Sequence, residues 1–219
     1  FSLFLFFPFV QSVSAATYYW VGANGDDVSD RTNWNTTAVA CTASGNAAAL
    51  LTTDTFNFSS TCTSNATISA DWTVNTFNMN AGYTGTVTGN AGVKLVATNL
   101  TQTSGTLNLS TIQQNRSTGT SFNFNGGTRS ITTYLVSGYG SNCSVNVPAG
   151  QLLSVTDFTM MNGATGSISP ITTGNGEIRT VNLTHLDGSA VNLFSGTVNV
   201  TGNIYVASTS VNNVGSIRL

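Results

Sequence analysis

From about residue 66 onward, apolar and polar residues alternate in short runs along the chain. The runs TVNTFNMN, GTLNLS, SFNFNG and GTVNVTG place an apolar side chain at every second position. A period of two is typical of β-strands with one buried face, because successive side chains point to opposite sides of a strand. Gly, Asn and Asp separate the runs, as expected for turns. The pattern predicts an all-β protein.

The runs also resemble one another. Residues 76–88 align without a gap on residues 157–169, and residues 99–109 align on residues 182–193 with one insertion. Similar units follow one another at steps of about 21 to 25 residues, apart from one longer step that contains TSFNFNGG, interpreted as a loop or an additional strand. The apolar residues that mark the units are Phe77, Leu100, Tyr134, Phe158, Leu183 and Ile204.

Repeats of this length with several short strands favour a parallel β-helix, or β-solenoid, wound from a single chain. An antiparallel sandwich, with a strand every 8 to 12 residues, is the competing fold. We expect an N-terminal capping region over residues 16–65 and solenoid coils over residues 66–219 that continue beyond them. Inward-facing residues of successive coils are expected to stack; they are Phe77, Met79, Val87, Leu107, Leu109, Phe158, Met160, Ile168, Val198 and Val200.

The first fifteen residues differ from the rest of the chain. Phe1 to Val10 read FSLFLFFPFV, and Val13 and Ala15 are small residues at the −3 and −1 positions of a cleavage site. This arrangement is typical of a secretory signal peptide that has lost its basic start, with a buried core strand as the alternative. The apolar run is shorter than the roughly 20 residues that a membrane-spanning helix needs.

Charge changes the picture of the surface. Only 6 % of the residues are charged, against roughly 25 % in an average globular chain, and six Lys and Arg face eight Asp and Glu. No basic stripe is present for a phosphate backbone, so nucleic acid is not an expected partner. Outward positions filled with Thr, Ser and Asn are expected instead, because like charges stacked on successive coils would repel.

Three cysteines are present, and two of them lie in the N-terminal region. Cys41 and Cys62 form either a disulfide, as an oxidising compartment permits, or two buried thiols. Cys143 is predicted to be a small buried residue.

Three sequence segments carry a resemblance to a known class of proteins. They are YYWVGANGDDVSDRTNW from Tyr18, DTFNFSSTCTSNATISA from Asp54 and VNTFNMNAGYTGTVT from Val74. Together they resemble bacterial secreted cell-surface β-solenoids of the autotransporter-like and adhesin-like kind, with AGYTGT-type repeats. The resemblance implies a passenger or stalk on the cell surface, with the Trp20 and Trp34 region capping the first coil. It brings no catalytic residues with it.

Candidate catalytic groups are few. His185 is the only histidine, and it aligns with Gln102, which is interpreted as an outward polar position. Paired carboxylates could serve glycoside cleavage. Beyond residue 72 only Asp157, Glu177 and Asp187 are present, and Asp157 and Asp187 are predicted on different faces. The basic residues that a polysaccharide lyase would also need are scattered; they are Lys94, Arg116, Arg129 and Arg179.

Two further clusters have a binding and a structural interpretation each. Asp26, Asp27 and Asp30 could bind Ca²⁺, but their spacing misses the EF-hand pattern and favours a solvated turn. Trp20, Trp34 and Trp72 could form a stacking platform for sugar rings, or could pack in the cap. No metal, cofactor or catalytic residue is therefore assigned.

These observations predict a secreted or cell-surface structural or adhesive solenoid that is not an enzyme. A cell-surface glycan or another surface protein is the expected partner, and no transmembrane segment is expected in the mature chain. A carbohydrate-binding or lyase-like β-helix is the alternative.

The charge deficit yields a first prediction. The melting temperature of the protein should be nearly the same at low and high salt, because few ion pairs exist to be screened. Thermal unfolding followed by circular dichroism in 10 mM and 500 mM NaCl, between which the Debye length falls from about 30 Å to about 4 Å, measures this. A shift of many degrees would contradict it.

Overall fold

The computed structural model describes residues 14–115, 119–138, 144–162, 171–186, 191–192, 196–207 and 217–218. In this part of the chain the protein is an all-β parallel solenoid, as predicted, with one short 3-10 turn at Arg31–Asn33. The early strands are β1 (Thr17–Trp20), β2 (Asp26–Asp27), β3 (Trp34–Asn35), β4 (Thr55–Phe58), β5 (Ala66–Ile68), β6 (Trp72–Met79), β7 (Thr86–Gly89), β8 (Lys94–Gln102) and β9 (Thr106–Gln114). The later strands are β10 (Ser121–Phe124), β11 (Thr128–Gly138), β12 (Ser144–Asn146), β13 (Leu152–Asn162), β14 (Ile171–Thr173), β15 (Glu177–Leu186), β16 (Val191–Asn192), β17 (Thr197–Val200), β18 (Ile204–Ala207) and β19 (Ile217–Arg218).

Each coil crosses three parallel sheets. Sheet 1 contains β1, β4, the second halves of β6 and β8, and then β10, β12, β14, β16 and β19. Sheet 2 contains β2, β5, β7, the first halves of β9, β11, β13 and β15, and β17. Sheet 3 contains the first halves of β6 and β8, the second halves of β9, β11, β13 and β15, and β18.

Residues at the same position of successive coils form columns. One inward column of sheet 1 runs through aromatic and aliphatic side chains that are all buried; it contains Tyr18, Phe56, Phe77, Leu100, Phe122 and Val145. The sheet 1 register gives successive coils 21 to 27 residues each. Each rung therefore buries its apolar side chains against its equivalents one coil away.

Most of the predicted inward residues are buried. Phe77, Met79, Val87, Leu107, Leu109 and Phe158 are all at most 3 % exposed. Val198 and Val200 are half-buried against the same core. Ile168 and the side chain of Met160 lie outside what the structure describes.

The predicted alignment of repeat units is wrong. Phe77 and Leu100 lie in sheet 1, whereas Tyr134 and Phe158 lie in sheet 3. The long step disappears, because SFNF is β10, a regular rung in which Phe122 pairs with both Leu100 and Val145. Strands of all three sheets share the same alternation, so sequence similarity matched strands from different sheets.

Glycines make the corner between sheets 1 and 2. Gly105 and Gly127 have φ values of 72° and 75°, a left-handed conformation that residues with a Cβ rarely adopt. A Cβ on Gly105 would lie 2.6 Å from the Tyr83 ring. The corner therefore needs glycine for both its backbone conformation and its close packing.

At the N-terminal end, β3 closes the stack. It pairs with β1 in an antiparallel register, with Trp34 opposite Trp20, while β1 pairs with β4 in parallel. The carbonyl oxygen of Trp34 in turn accepts hydrogen bonds from the backbone of Asn46 and Ala47. The exposed edge of the first parallel strand is thereby covered.

The corrected register predicts that Phe122→Ala destabilises the protein by about 3–5 kcal/mol, the usual cost of truncating a buried phenylalanine. Urea denaturation of the variant measures this change. Asn123→Ala, at the neighbouring outward position, is the control and should cost far less. If Phe122→Ala left the stability unchanged, SFNF would be a loop and not a rung of the core.

Candidate functional site

Two of the three tryptophans form the centre of the cap. Trp20 and Trp34 are completely buried, with ring centroids 5.2 Å apart in an edge-to-face arrangement. Trp20 Nε1 donates to Ser64 Oγ at 2.8 Å, and Trp34 Nε1 donates to the Val28 carbonyl at 2.8 Å. Both rings are fully enclosed, so neither offers a face on which a sugar could stack.

Trp72 is half-buried and begins the inward side of sheet 3. Its ring lies 4.8 Å from Phe56 and 6.0 Å from Trp34, between centroids. The tryptophans and the neighbouring phenylalanines therefore make one aromatic cluster that joins the cap to the first coils.

A disulfide joins Cys41 and Cys62, whose Cα atoms are 4.6 Å apart. Cys62 is buried in the core, and Cys41 lies in the loop that follows β3. The bond ties this loop to the coil between β4 and β5. A disulfide that closes a loop of this length stabilises a protein by roughly 3 kcal/mol.

The carboxylates of the acidic cluster accept backbone hydrogen bonds in the turns around β2. Asp26 Oδ2 accepts from Ala23 N at 2.7 Å, Asp27 Oδ1 from Ser29 N at 2.7 Å, and Asp30 Oδ1 from Thr32 N at 2.9 Å. Partial burial opposes ionisation of Asp27, but hydrogen bonds from Ser29 and Ser69 outweigh it and lower the pKa of this carboxyl. The described residues contain no group of three or more potential metal-ligating side chains.

The remaining candidate carboxylates that the structure describes lie in different sheets. Asp157 in sheet 3 accepts a hydrogen bond from Asn182, whereas Glu177 in sheet 2 pairs with Arg179 at 2.9 Å. His185 lies in sheet 3, where its backbone is in register with Met160 and Val206, so its predicted equivalence with Gln102 of sheet 1 is wrong. Asp187, Arg116 and Cys143 lie outside the described residues.

Gln102 is also not an outward residue, contrary to the prediction. It is completely buried in the sheet 1 column between Met79 and Phe124. Its Nε2 atom donates to the Thr128 carbonyl at 2.8 Å, and its Oε1 atom accepts from Arg129 Nε at 3.0 Å. The sequence contained a signal for this position: Gln102 lies two residues after the inward Leu100, so both side chains point to the same side of the strand.

Arg129 likewise occupies an inward register position, paired with Leu107. Its guanidinium donates to the carbonyls of Leu152 and Gly126, each at 2.6 Å, and lies 5.0 Å from the centroid of the Phe124 ring. Burial lowers the pKa of Arg129 to about 10. Backbone carbonyls and the Gln102 amide therefore accept hydrogen bonds from this half-buried cation.

The outer side of sheet 1 is an uncharged polar face. Over five successive rungs, every outward position holds Thr, Ser or Asn. These ten residues, here called the sheet 1 face, are Thr55, Asn57, Thr76, Asn78, Asn99, Thr101, Ser121, Asn123, Ser144 and Asn146. Asn57 is buried, and the other nine are half-buried. Within it, Asn78 Nδ2 donates to Asn57 Oδ1 at 3.0 Å, so amides link neighbouring coils.

Sheet 2 is less uniform on its outer side. Thr86, Thr106 and Thr128 form a column in which the last two hydroxyls are 2.7 Å apart. The next described coils carry Leu152 and then Glu177 in register. Its uncharged hydroxyl surface is therefore shorter than the sheet 1 face.

A shallow groove of about 310 Å³ lies at the cap. Its lining includes Arg31, Thr32, Gly45 and Asn46. The Arg31 guanidinium is already bonded to the Ala48 carbonyl at 2.9 Å. Among the described residues, no carboxylate, histidine or thiol lines the groove.

Comparison of the chain with protein-family models, with curated proteins and with solved structures finds no match. Over the described residues, no helix has the length and apolar character needed to cross a membrane.

The Gln102–Arg129 contact predicts a coupled pair. Gln102→Leu should cost about 1–3 kcal/mol, because it leaves the half-buried Arg129 N–H and the Thr128 carbonyl without their side-chain partner. Gln102→Leu/Arg129→Leu should cost less than the sum of the two single variants, by about 1–2 kcal/mol. Urea denaturation of all three variants measures the coupling.

The matched control pairs Gln102→Leu with Arg179→Leu, which removes a surface arginine that does not contact Gln102. That pair should be additive. Additive effects for Gln102 and Arg129 as well would show that the two side chains do not act together.

Proposed function

We propose that this chain is part of a secreted, non-catalytic solenoid scaffold whose sheet 1 face adheres to an uncharged polysaccharide. The observation that carries the proposal is the run of ten Thr, Ser and Asn residues on five successive rungs, without an ionised side chain. The signal-peptide pattern of residues 1–15 and the resemblance to surface β-solenoids support secretion.

The stacked coils suit a scaffold. Parallel rungs repeat at about 4.8 Å, and each coil is bonded to the next along three sheets. Side-chain columns add hydrogen bonds between coils. One joins the side-chain amides of Asn78 and Asn57, and another joins Asn182 to Asp157 in sheet 3. A rod built in this way holds the residues of its outer faces in fixed spacing.

The chemistry of the face selects an uncharged, hydroxyl-rich partner. Amides and hydroxyls both donate and accept hydrogen bonds, as the hydroxyls of a sugar chain require. An acidic polymer would find no cation among the ten positions. Many weak contacts repeated along a polymer add up through avidity, without a deep pocket.

Area argues against a protein partner for this face alone. Five rungs spaced about 4.8 Å apart, with strands about 13 Å long, give the face an area of roughly 300 Å². A stable protein–protein interface buries about 800 Å² on each partner. A thin polymer lying along the face needs much less area from any one rung.

Matched pairs of Thr→Val substitutions test the adhesive face. Thr76→Val/Thr101→Val removes two hydroxyls from sheet 1 and keeps the β-branched shape. Each lost hydrogen bond is worth about 0.5–1.5 kcal/mol, so binding should weaken about tenfold. Affinity electrophoresis in gels that contain galactomannan or hydroxyethyl cellulose measures the change, with alginate as the acidic comparison.

Thr86→Val/Thr106→Val, which makes the same change on sheet 2, is the control and should bind like the parent chain. Retardation should also persist at high salt, because the face is uncharged. Retardation by alginate alone, equal loss in both variants, or no retardation by any polymer would each refute the adhesive face.

A further inference from the structure

Asp54 is a buried carboxylate directly before β4. It is completely inaccessible to solvent and lies on the same side of the strand as Phe56 and Phe58. Its Oδ1 atom accepts from the backbone N of Ala16 at 2.8 Å, and its Oδ2 atom accepts from Leu51 N at 2.7 Å. Both donors are neutral amides.

A buried carboxylate is costly unless a cation accompanies it. The described residues contain a single ion pair, between Glu177 and Arg179, so none of their side-chain cations pairs with Asp54. A positive charge beside the Oδ1 atom of Asp54 would compensate this carboxylate. The atom that lies there is the backbone nitrogen of Ala16.

Ala16 lies at the predicted cleavage site. Ser14 and Ala15 are exposed, whereas Ala16 is partly buried and packs against the core. The carbonyl of Ala16 accepts from Thr55 N at 2.8 Å, and the next residue, Thr17, begins the pairing of β1 with β4. The chain therefore changes at Ala16 from an exposed segment to one that is hydrogen-bonded to β4.

We infer that cleavage between Ala15 and Ala16 creates an N-terminal ammonium group that forms an ion pair with the buried Asp54 carboxylate. This inference rests on the secretion that the proposed function includes. A signal peptidase would supply the catalysis: water adds across the Ala15–Ala16 peptide bond, Ala15 keeps the new carboxyl group, and the Ala16 nitrogen becomes an amine that takes up a proton.

Processing would then stabilise the first strand of the solenoid. The nitrogen is already 2.8 Å from Asp54 Oδ1, so the new charge needs no rearrangement of β1 or β4. A charged donor makes a stronger hydrogen bond than the amide that it replaces. Cleavage would therefore seat β1 more firmly on β4, at the end of the stack where the cap is built.

A stability cycle on purified chains tests the pair. One chain begins at Ala16 with a free amine, and the other begins at Ser14; each is made with Asp54 and with Asp54→Asn. The Ala16 start should raise the folding equilibrium constant at least about tenfold over the Ser14 start when Asp54 is present. The gain should disappear with Asp54→Asn, and urea denaturation at pH 6.5 measures it.

Asp71→Asn is the matched control. Asp71 Oδ1 also accepts a backbone hydrogen bond, from Lys94 N at 2.9 Å, but it is exposed. Its replacement should have the same effect in both chains. A difference between the two starts that persists in Asp54→Asn would overturn the ion pair.

Reactivity of the Ala16 amine gives a second measurement. With Asp54 present, acetylation of this amine at pH 7.5 should be about tenfold slower than in the folded Asp54→Asn chain, because pairing holds the proton on the nitrogen. Equal rates in two folded chains would overturn the inference.

The mass of the protein exported by a bacterial host identifies the processed start separately. A different start would overturn processing at Ala16, while complete retention in the cell would instead count against secretion. The purified chains need no export. The stability cycle therefore tests the ion pair separately from the proposed secretion.

Discussion

Parallel, in-register stacking of successive coils is the constraint on which the rest of the structure depends. A single coil cannot bury its own apolar side chains, so Phe77 is buried only because Phe56 and Leu100 lie one coil away on either side. The same register aligns the outward residues into columns. Core and surface chemistry therefore follow from one geometric relation.

Three polar or charged side chains occupy inward positions and are held there by hydrogen bonds. Gln102 and Arg129 occupy positions that the alternation assigns to apolar residues, and they hydrogen-bond to each other and to five backbone carbonyls. Asp54 is held in a similar way by two backbone N–H groups. Each of these residues fixes the chain locally, since a shift in register would leave a buried charge or amide without its partners.

The outer surface is shaped by the same stacking. Ionised residues repeated about 4.8 Å apart would repel, whereas Thr, Ser and Asn can bond to their equivalents in the next coil, as Asn78 and Asn57 do. This replacement of charge by neutral polar groups leaves few acids and bases with which to build a catalytic site. It also leaves one long, uniform face on sheet 1, on which the proposed adhesion to a polysaccharide rests.

The amino-acid sequence by itself determined the strand content, the parallel solenoid and the burial of most apolar positions, because a period of two and a coil-length repeat are local properties. The inward places of Gln102, Arg129 and Asp54 were also present in that alternation, but their polarity obscured them. Only the tertiary structure decided which strands share a sheet and placed β10 as a regular rung. The physical reason is that all three sheets use the same alternation, so pairing depends on where the corners turn the chain.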